Sequence, residues 1–145
     1  MIDLTDKTIL QELVNESRLS MSELGRRIHL SAPAVRERVK QLEEKEVIEK
    51  FTVNINDKAL GYTVQCIIEA TIKNNRYNDF KKLIQTYDFV DFCYRIAGDA
   101  CFMLKMNFSS FENAEKTIDE LQPFAHTKTH FIFSEVPTHK NYSNL

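Results

Sequence analysis

Leu30-Ser31-Ala32-Pro33-Ala34-Val35-Arg36-Glu37-Arg38-Val39-Lys40-Gln41-Leu42-Glu43-Glu44-Lys45 is the stretch on which the fold of the first half turns. Ser31 carries a short hydroxyl suited to an orphan amide at a helix start, and Pro33 falls in the first turn, where its missing N–H breaks no intrahelical bond. Val35, Val39 and Leu42 then follow i, i+4, i+7 spacing and define one buried stripe. Pro33, Arg36, Glu37 and Lys40 lie on roughly the opposite side, so the exposed face is polar and mostly basic. Guanidinium and ammonium groups on such a face can reach phosphates or the acceptor edge of guanine, and Glu37 can accept from cytosine. An ordinary amphipathic surface helix has the same pattern, so the flanking residues decide between the two readings.

Upstream, Ile9, Leu10, Leu13 and Val14 make one apolar stripe and predict a first helix over 5–17, with Thr5 or Asp6 as its cap. Ser20-Met21-Ser22-Glu23 has the form of a capping box, and predicts a second helix from Met21 to His29 with Met21, Leu24 and Ile28 inward. Glu23 and Arg27 can pair at i, i+4, and Gly25 is small enough for another segment to pack closely. Only His29 and Leu30 then separate this helix from the Ser31 cap, a turn as tight as that of a helix-turn-helix unit. Downstream, the β-branched and aromatic run 47–55 predicts a strand, a wing or tether after the third helix. The polar residues 56–61, ending in Gly61, break both periodicities and mark a linker between a first domain over 1–55 and a second over 62–145.

The second half alternates strand and helix. Strands are predicted over 63–72, 90–96, 101–108 and 127–133, and helices over 76–87 and from Phe111 to the stop at Pro123. Ser109-Ser110-Phe111-Glu112 has the form of a second capping box and is expected to open the second of these helices. The order is βαββαβ, the ferredoxin-like split unit, so the fold class is α+β. Val90, Phe92, Tyr94 and Ile96 are expected on one side of the second strand, and Phe102, Leu104, Met106 and Phe108 on one side of the third, facing the helices. Ile67, Cys93, Met103 and Ile132 would then leave the other face apolar, which favours self-association through the sheet.

Composition narrows the function. The 145 residues carry a net charge of -2, yet residues 18–45 hold seven basic against four acidic side chains, a net +3. DNA binding depends on that local distribution rather than on the total. The N-terminus lacks the basic and apolar regions of a secretory signal, no apolar run is long enough to span a membrane, and a cytoplasmic protein without a membrane partner is expected. Cys66, Cys93 and Cys101 are odd in number and lie in apolar runs, which predicts free thiols in a reducing compartment. No nucleophile and base pair, phosphate loop or metal cluster stands out; His126 and His130 share a strand face but sit too far apart for a compact metal site. Neither a cofactor nor an enzymatic reaction is expected.

The chain resembles the Lrp/AsnC (feast/famine) family of transcription regulators. The resemblance rests on Arg18-Leu19-Ser20, Glu23-Leu24-Gly25-Arg26-Arg27, Leu30-Ser31 with Val35, Arg38-Val39 and Leu42-Glu43, Val47-Ile48, and Ile96-Ala97-Gly98-Asp99. It implies an N-terminal winged helix-turn-helix that binds double-stranded DNA and a βαββαβ (RAM-type) ligand-sensing domain. It also implies a homodimer joined through the sheet, often assembled into octamers around an amino-acid effector, in a cytoplasmic, nucleoid-associated protein. The DNA-contact set expected from it is Ser31, Pro33, Arg36, Glu37, Arg38 and Lys40. Arg38 lies nearer the buried stripe than Arg36 and has two open roles, a phosphate contact or a brace to a carboxylate. The expected effector set is Tyr94, Gly98, Asp99, Cys101 and Glu135. Three positions depart from the family: glycine is usual where His29 and Glu46 stand, and the Gly-Asp-x-Asp hairpin reads Gly98-Asp99-Ala100-Cys101. The missing second carboxylate predicts weak or altered amino-acid binding. Two other readings share the fold: a purely architectural DNA-compacting protein, and a tetrapyrrole (sirohaem) decarboxylase, which would need basic and histidine residues converging on propionates.

Overall fold

The computed structural model describes residues 1–144. They form two compact units, one of residues 1–54 together with the tail from Pro137, the other Ile55–Val136. In the first unit, α1 (Leu4–Asn15), α2 (Met21–Ile28) and α3 (Ala32–Glu44) enclose a core of Ile9, Leu13, Leu19, Leu24, Val35, Val39 and Leu42. Burying each of these side chains contributes about 1.5–3 kcal/mol before the cost of ordering the chain. The α1 cap is Asp3, not Thr5 or Asp6. Its Oδ1 accepts from the Asp6 amide at 2.8 Å while Asp6 Oδ2 accepts from the Asp3 amide at 3.1 Å. Starting the helix one residue early lets two carboxylates satisfy two orphan donors.

In α2 only half of the expected box forms. Ser20 Oγ accepts from the Glu23 amide at 3.1 Å, but the Glu23 carboxylate turns to Arg26 and Arg27, because charge-assisted bonds outcompete a neutral amide. The helix ends in the left-handed His29 (φ 59°), and the Leu30 amide returns to Gly25 O at 2.9 Å. A Cβ on Gly25 would stand 2.4 Å from Leu30 O, which is why this turn demands glycine. After α3, Glu46 (φ 56°) turns the chain, and the Val47 and Ile48 amides both donate to Leu42 O. The predicted 47–55 strand does not form. A strand needs a ladder partner, and none lies beside this segment, so Phe51, Val53 and Ile55 stay exposed. The tail returns to α1, where the Tyr142 amide donates to Gln11 Oε1 at 2.8 Å, so residues expected to close the second domain pack in the first.

The second unit opens on a short 3-10 turn, Asp57–Leu60, capped by Asn56, where an open linker is expected. Then follow β1 (Val64–Ile72), α4 (Tyr77–Gln85), β2 (Val90–Arg95), β3 (Phe102–Phe108), α5 (Phe111–Leu121) and β4 (Ala125–Phe131). The sheet is antiparallel in the order β2-β3-β1-β4, the ferredoxin-like arrangement. Its helix-side core contains Cys66, Ile68, Phe80, Phe102, Leu104, Met106 and Leu121. The predicted facing of β2 is corrected by a bulge. Val90 pairs with Met106 but Phe92 with Lys105, so the extra residue, Asp91, inverts the alternation beyond it. Cys93 therefore packs against the core, and Phe92 and Tyr94 join Ile67 and Met103 on the open face, their rings stacked at 5.0 Å. The Asp91 carboxylate is held by Lys105 Nζ at 2.8 Å and by Asn107 Nδ2.

Candidate nucleic-acid interface

Ser31 Oγ accepts from the Ala34 amide at 3.4 Å and starts α3, with Pro33 in the first turn. Val35, Val39 and Leu42 are buried, which turns Pro33, Arg36, Glu37 and Lys40 to solvent. Arg36 makes no ion pair or hydrogen bond among the described residues. Lys40 Nζ reaches Glu44 at 3.4 Å and Gln41 donates to Glu37 at 3.1 Å, both in the open, where such pairs yield readily to a ligand. Arg38 takes the bracing role. Its Nη1 meets Asp3 Oδ2 at 2.8 Å and Asp6 Oδ1 at 2.7 Å, which ties α3 to the start of α1. The hydrogen bonds from the Asp6 amide and then from Arg38 hold the Asp3 carboxyl below its usual range.

Arg27 of α2 is spent in the same way, and Arg26 is paired in the open. Arg27 joins Glu12, Glu16 and Glu23 at 3.0, 2.9 and 3.1 Å, and Arg26 makes two bonds to Glu23. Arg26 first, then Arg27, pull the Glu23 carboxyl down to about 2. Of the seven basic residues between 18 and 45, Arg18, Arg36 and Lys45 alone have no acidic partner among the described residues. The local excess predicted from composition thus resolves into few available charges, with Arg36 central on the α3 face.

The predicted effector residues do not converge within the chain. Asp99 lines a cleft of about 250 Å³ with Glu69, Thr71, His126 and Lys128. Gly98, beside it, has φ 139°. Glu135 borders a different groove of about 580 Å³ with Lys58, Ile67, Lys105 and Phe133. Tyr94 stands on the open sheet face, 63% exposed. Cys101 points elsewhere, its Sγ 3.5 Å from the Tyr77 hydroxyl, with the Arg95 guanidinium 4.5 Å over the Tyr77 ring. The Tyr77 hydroxyl and the Ile72 amide hold this thiol below its ordinary range, whereas burial pushes Cys66 up to about 11. All three cysteines are free. His130 bonds Glu69 at 3.1 Å, and no metal-holding group of three or more ligands occurs among the described residues.

Residues 2–49 match the winged helix-turn-helix DNA-binding family, and residues 65–142 match the Lrp/AsnC ligand binding domain. The chain belongs to the Lrp/AsnC family. It is 52% identical over 137 residues to the HTH-type transcriptional regulator LrpC of Bacillus subtilis, covering 94% of this chain and 95% of that protein. It is 32% identical over 136 residues to LrpA of the same organism, covering 93% of this chain and all of that protein. The solved structure of B. subtilis LrpC superposes with a TM-score of 0.93 at 51% identity, over 96% of this chain and 99% of that one. A transcriptional regulator from Neisseria meningitidis, solved as a complex with L-Met, shares the fold with a TM-score of 0.89 at 22% identity, over 97% and 96% of the two chains.

This Lrp/AsnC chain is thus a DNA-binding transcriptional regulator with a ligand-binding domain, and the decarboxylase alternative finds no support among these relatives. No helix among its described residues is long and apolar enough to cross a membrane. The two family glycines replaced here, at His29 and Glu46, both fall at left-handed positions, where a side chain costs strain. Sequence reading missed Glu69, Thr71, His126 and Lys128 beside Asp99. Strand register alone brings them together, since Thr71 pairs with His126 and Glu69 with Lys128 across β1 and β4.

Proposed function

We propose that this regulator lays the exposed face of α3 in the major groove. Arg36 and Lys40 meet phosphates or guanine edges, Glu37 reads cytosine, and Ser31 and Pro33 sit at the helix entry. The observation that carries the reading is the unpartnered, solvent-facing Arg36 on a helix whose other arginine, Arg38, is consumed by Asp3 and Asp6. Two copies associate through the open sheet face, whose Phe92, Tyr94, Ile67 and Met103 support it, and present two α3 helices to half-sites about 34 Å apart. A stable monomer in sedimentation at micromolar concentration would refute that assembly.

An amino acid tunes this binding from the hairpin of Gly98, Asp99 and Cys101, with Tyr94 and Glu135 brought to it by neighbouring copies in a higher oligomer. The L-Met complex of the Neisseria relative supports the ligand class. With Cys101 in place of a carboxylate the affinity is weak, and Cys101→Asp strengthens it about tenfold to a hundredfold, the worth of one charged hydrogen bond. The test is an anisotropy titration of the regulator on its own upstream DNA, repeated with each amino acid. Tight binding that weakens steeply with salt and shifts with one amino acid is expected. Salt-dependent binding to every sequence, indifferent to amino acids, would establish the architectural reading instead.

A further inference from the structure

A cleft in the second unit serves neither the DNA face nor the hairpin. It encloses about 270 Å³ between α5 and the residues that lead from α4 into β2. One wall is flat and apolar: the Tyr87 and Phe89 rings stack at 5.0 Å, and Phe89 packs on Phe108 at 5.3 Å. Facing it, Asn113, Thr117 and Glu120 recur at i, i+4, i+7 along α5, with Lys116 beside them. The Tyr87 hydroxyl donates to Glu120 Oε2 at 2.6 Å, which orients the carboxylate and leaves Oε1 without a protein partner. Burial and the neighbouring Glu120 push the Tyr87 ionisation far up, so this donor persists at any working pH. Lys116 makes no ion pair among the described residues, although Glu120 stands one turn further on the same helix.

Thr117 is the most informative of these. It is only 7% exposed, and its hydroxyl makes no hydrogen bond among the described residues. A helical threonine ordinarily returns its hydroxyl to the carbonyl one turn back, as Thr8 does to Leu4 O at 2.9 Å. Among the described residues no side-chain nitrogen or oxygen sealed from solvent lacks a partner. The Thr117 hydroxyl is therefore not sealed from solvent, and the residue lines the cleft.

We propose that this cleft is a second small-molecule site, taking a zwitterion whose ammonium group meets Glu120, whose carboxylate meets Lys116, and whose aromatic or branched body lies on Tyr87 and Phe89. A simple anion would face the Glu120 carboxylate and a simple cation would face Lys116, whereas a zwitterion satisfies both and gives the Thr117 hydroxyl a partner. The volume is below the roughly 300–1,000 Å³ of drug-sized sites, which fits a single amino acid. The proposal shares with the amino-acid response above only its ligand class, and it assigns a different place.

The experiment is calorimetry on the full chain with L-phenylalanine and L-leucine, and with phenylacetate and phenethylamine, which each lack one charge. In the Asp99→Asn chain, where the hairpin no longer contributes, saturable binding of at least one amino acid is expected, about tenfold weaker when Glu120→Gln, Lys116→Met or Thr117→Val is added and for each single-charge analogue. Glu120 and Lys116 are exposed, so unaltered thermal melting of their variants shows that any loss is local. No saturable binding of either amino acid at millimolar concentration overturns the proposal, as does binding indifferent to the three cleft variants. Binding abolished by Asp99→Asn alone overturns it while upholding the hairpin as the effector site.

Discussion

The second and third helices of the DNA-binding unit look alike in sequence, since both are short, Ser-capped and rich in arginine, yet they use their charges in opposite ways. In α2 both arginines are bound by Glu12, Glu16 and Glu23. In α3 one arginine braces the fold and the other faces solvent without a partner. Formal charge and available charge are thus different quantities. Carboxylates three, four or a whole helix away compete with a phosphate for a cation, least where the pair is exposed, and only geometry separates the two cases.

The contact between the two helices is where this comparison breaks most severely. Gly25→Ala pushes a Cβ to within 2.4 Å of Leu30 O, so the backbone of the tight turn must move. A loss of about 1–3 kcal/mol of stability is expected in denaturant titration, together with weakened DNA binding. Arg38→Ala has a loss of comparable size. It leaves the largely buried Asp6 carboxylate (11% exposed) without its cation, and a charged hydrogen bond of this kind contributes about 1.5–3 kcal/mol. Arg36→Ala, two residues away, should leave the same melting curve unchanged within about 0.5 kcal/mol.

Acid sharpens the contrast further. The Glu23 carboxyl lies at about 2 in the folded chain against an ordinary 4.5, so its contribution is complete above about 4.5 and is lost as the pH falls toward 2. Melting temperature should decline over that window, and the decline should be shallower in Glu23→Gln, where Arg26 loses its titrating partner at every pH and Arg27 keeps Glu12 and Glu16. The smallest effect is a gain. His29→Gly relieves a left-handed residue at φ 59° and should raise stability by about 0.5–1 kcal/mol, the strain removed less the entropy that glycine adds to the unfolded chain.

Much of the fold was legible because it rests on local chemistry. The Ser20 and Ser31 caps, the buried Ile9, Leu13, Leu24, Val35, Val39 and Leu42 of the first three helices and the βαββαβ order of elements follow from near neighbours in sequence. Val14 of the α1 stripe, by contrast, is 58% exposed, and the box expected from Ser109-Ser110-Phe111-Glu112 reduces to a Ser110 cap, its Oγ accepting from the Asn113 amide at 3.1 Å. What escaped depends on partners distant in sequence. A single bulged residue, Asp91, reversed the facing of Phe92, Cys93 and Tyr94, because its carboxylate is held by Lys105 and Asn107 from the next strand. The run 47–55 has strand chemistry and no ladder beside it. Asp3 was overlooked as a cap because its value lies partly in a bond to Arg38, 35 residues on. The expected effector residues combine the hairpin Gly98, Asp99 and Cys101 with Tyr94 and Glu135, and in a single chain they occupy separate surfaces.

The central claim is that α3 meets DNA through Arg36 while Arg38 serves the fold, and the salt dependence of DNA affinity tests it most directly. Affinity of the unmodified regulator and of Arg36→Ala is measured by anisotropy across a range of salt concentrations, on a duplex containing the regulator's own upstream region. Loss of one phosphate contact per subunit should lower the slope of log affinity against log salt by about one for each copy bound and weaken binding at every salt concentration. An Arg36→Ala variant with the unmodified slope and affinity would contradict the account.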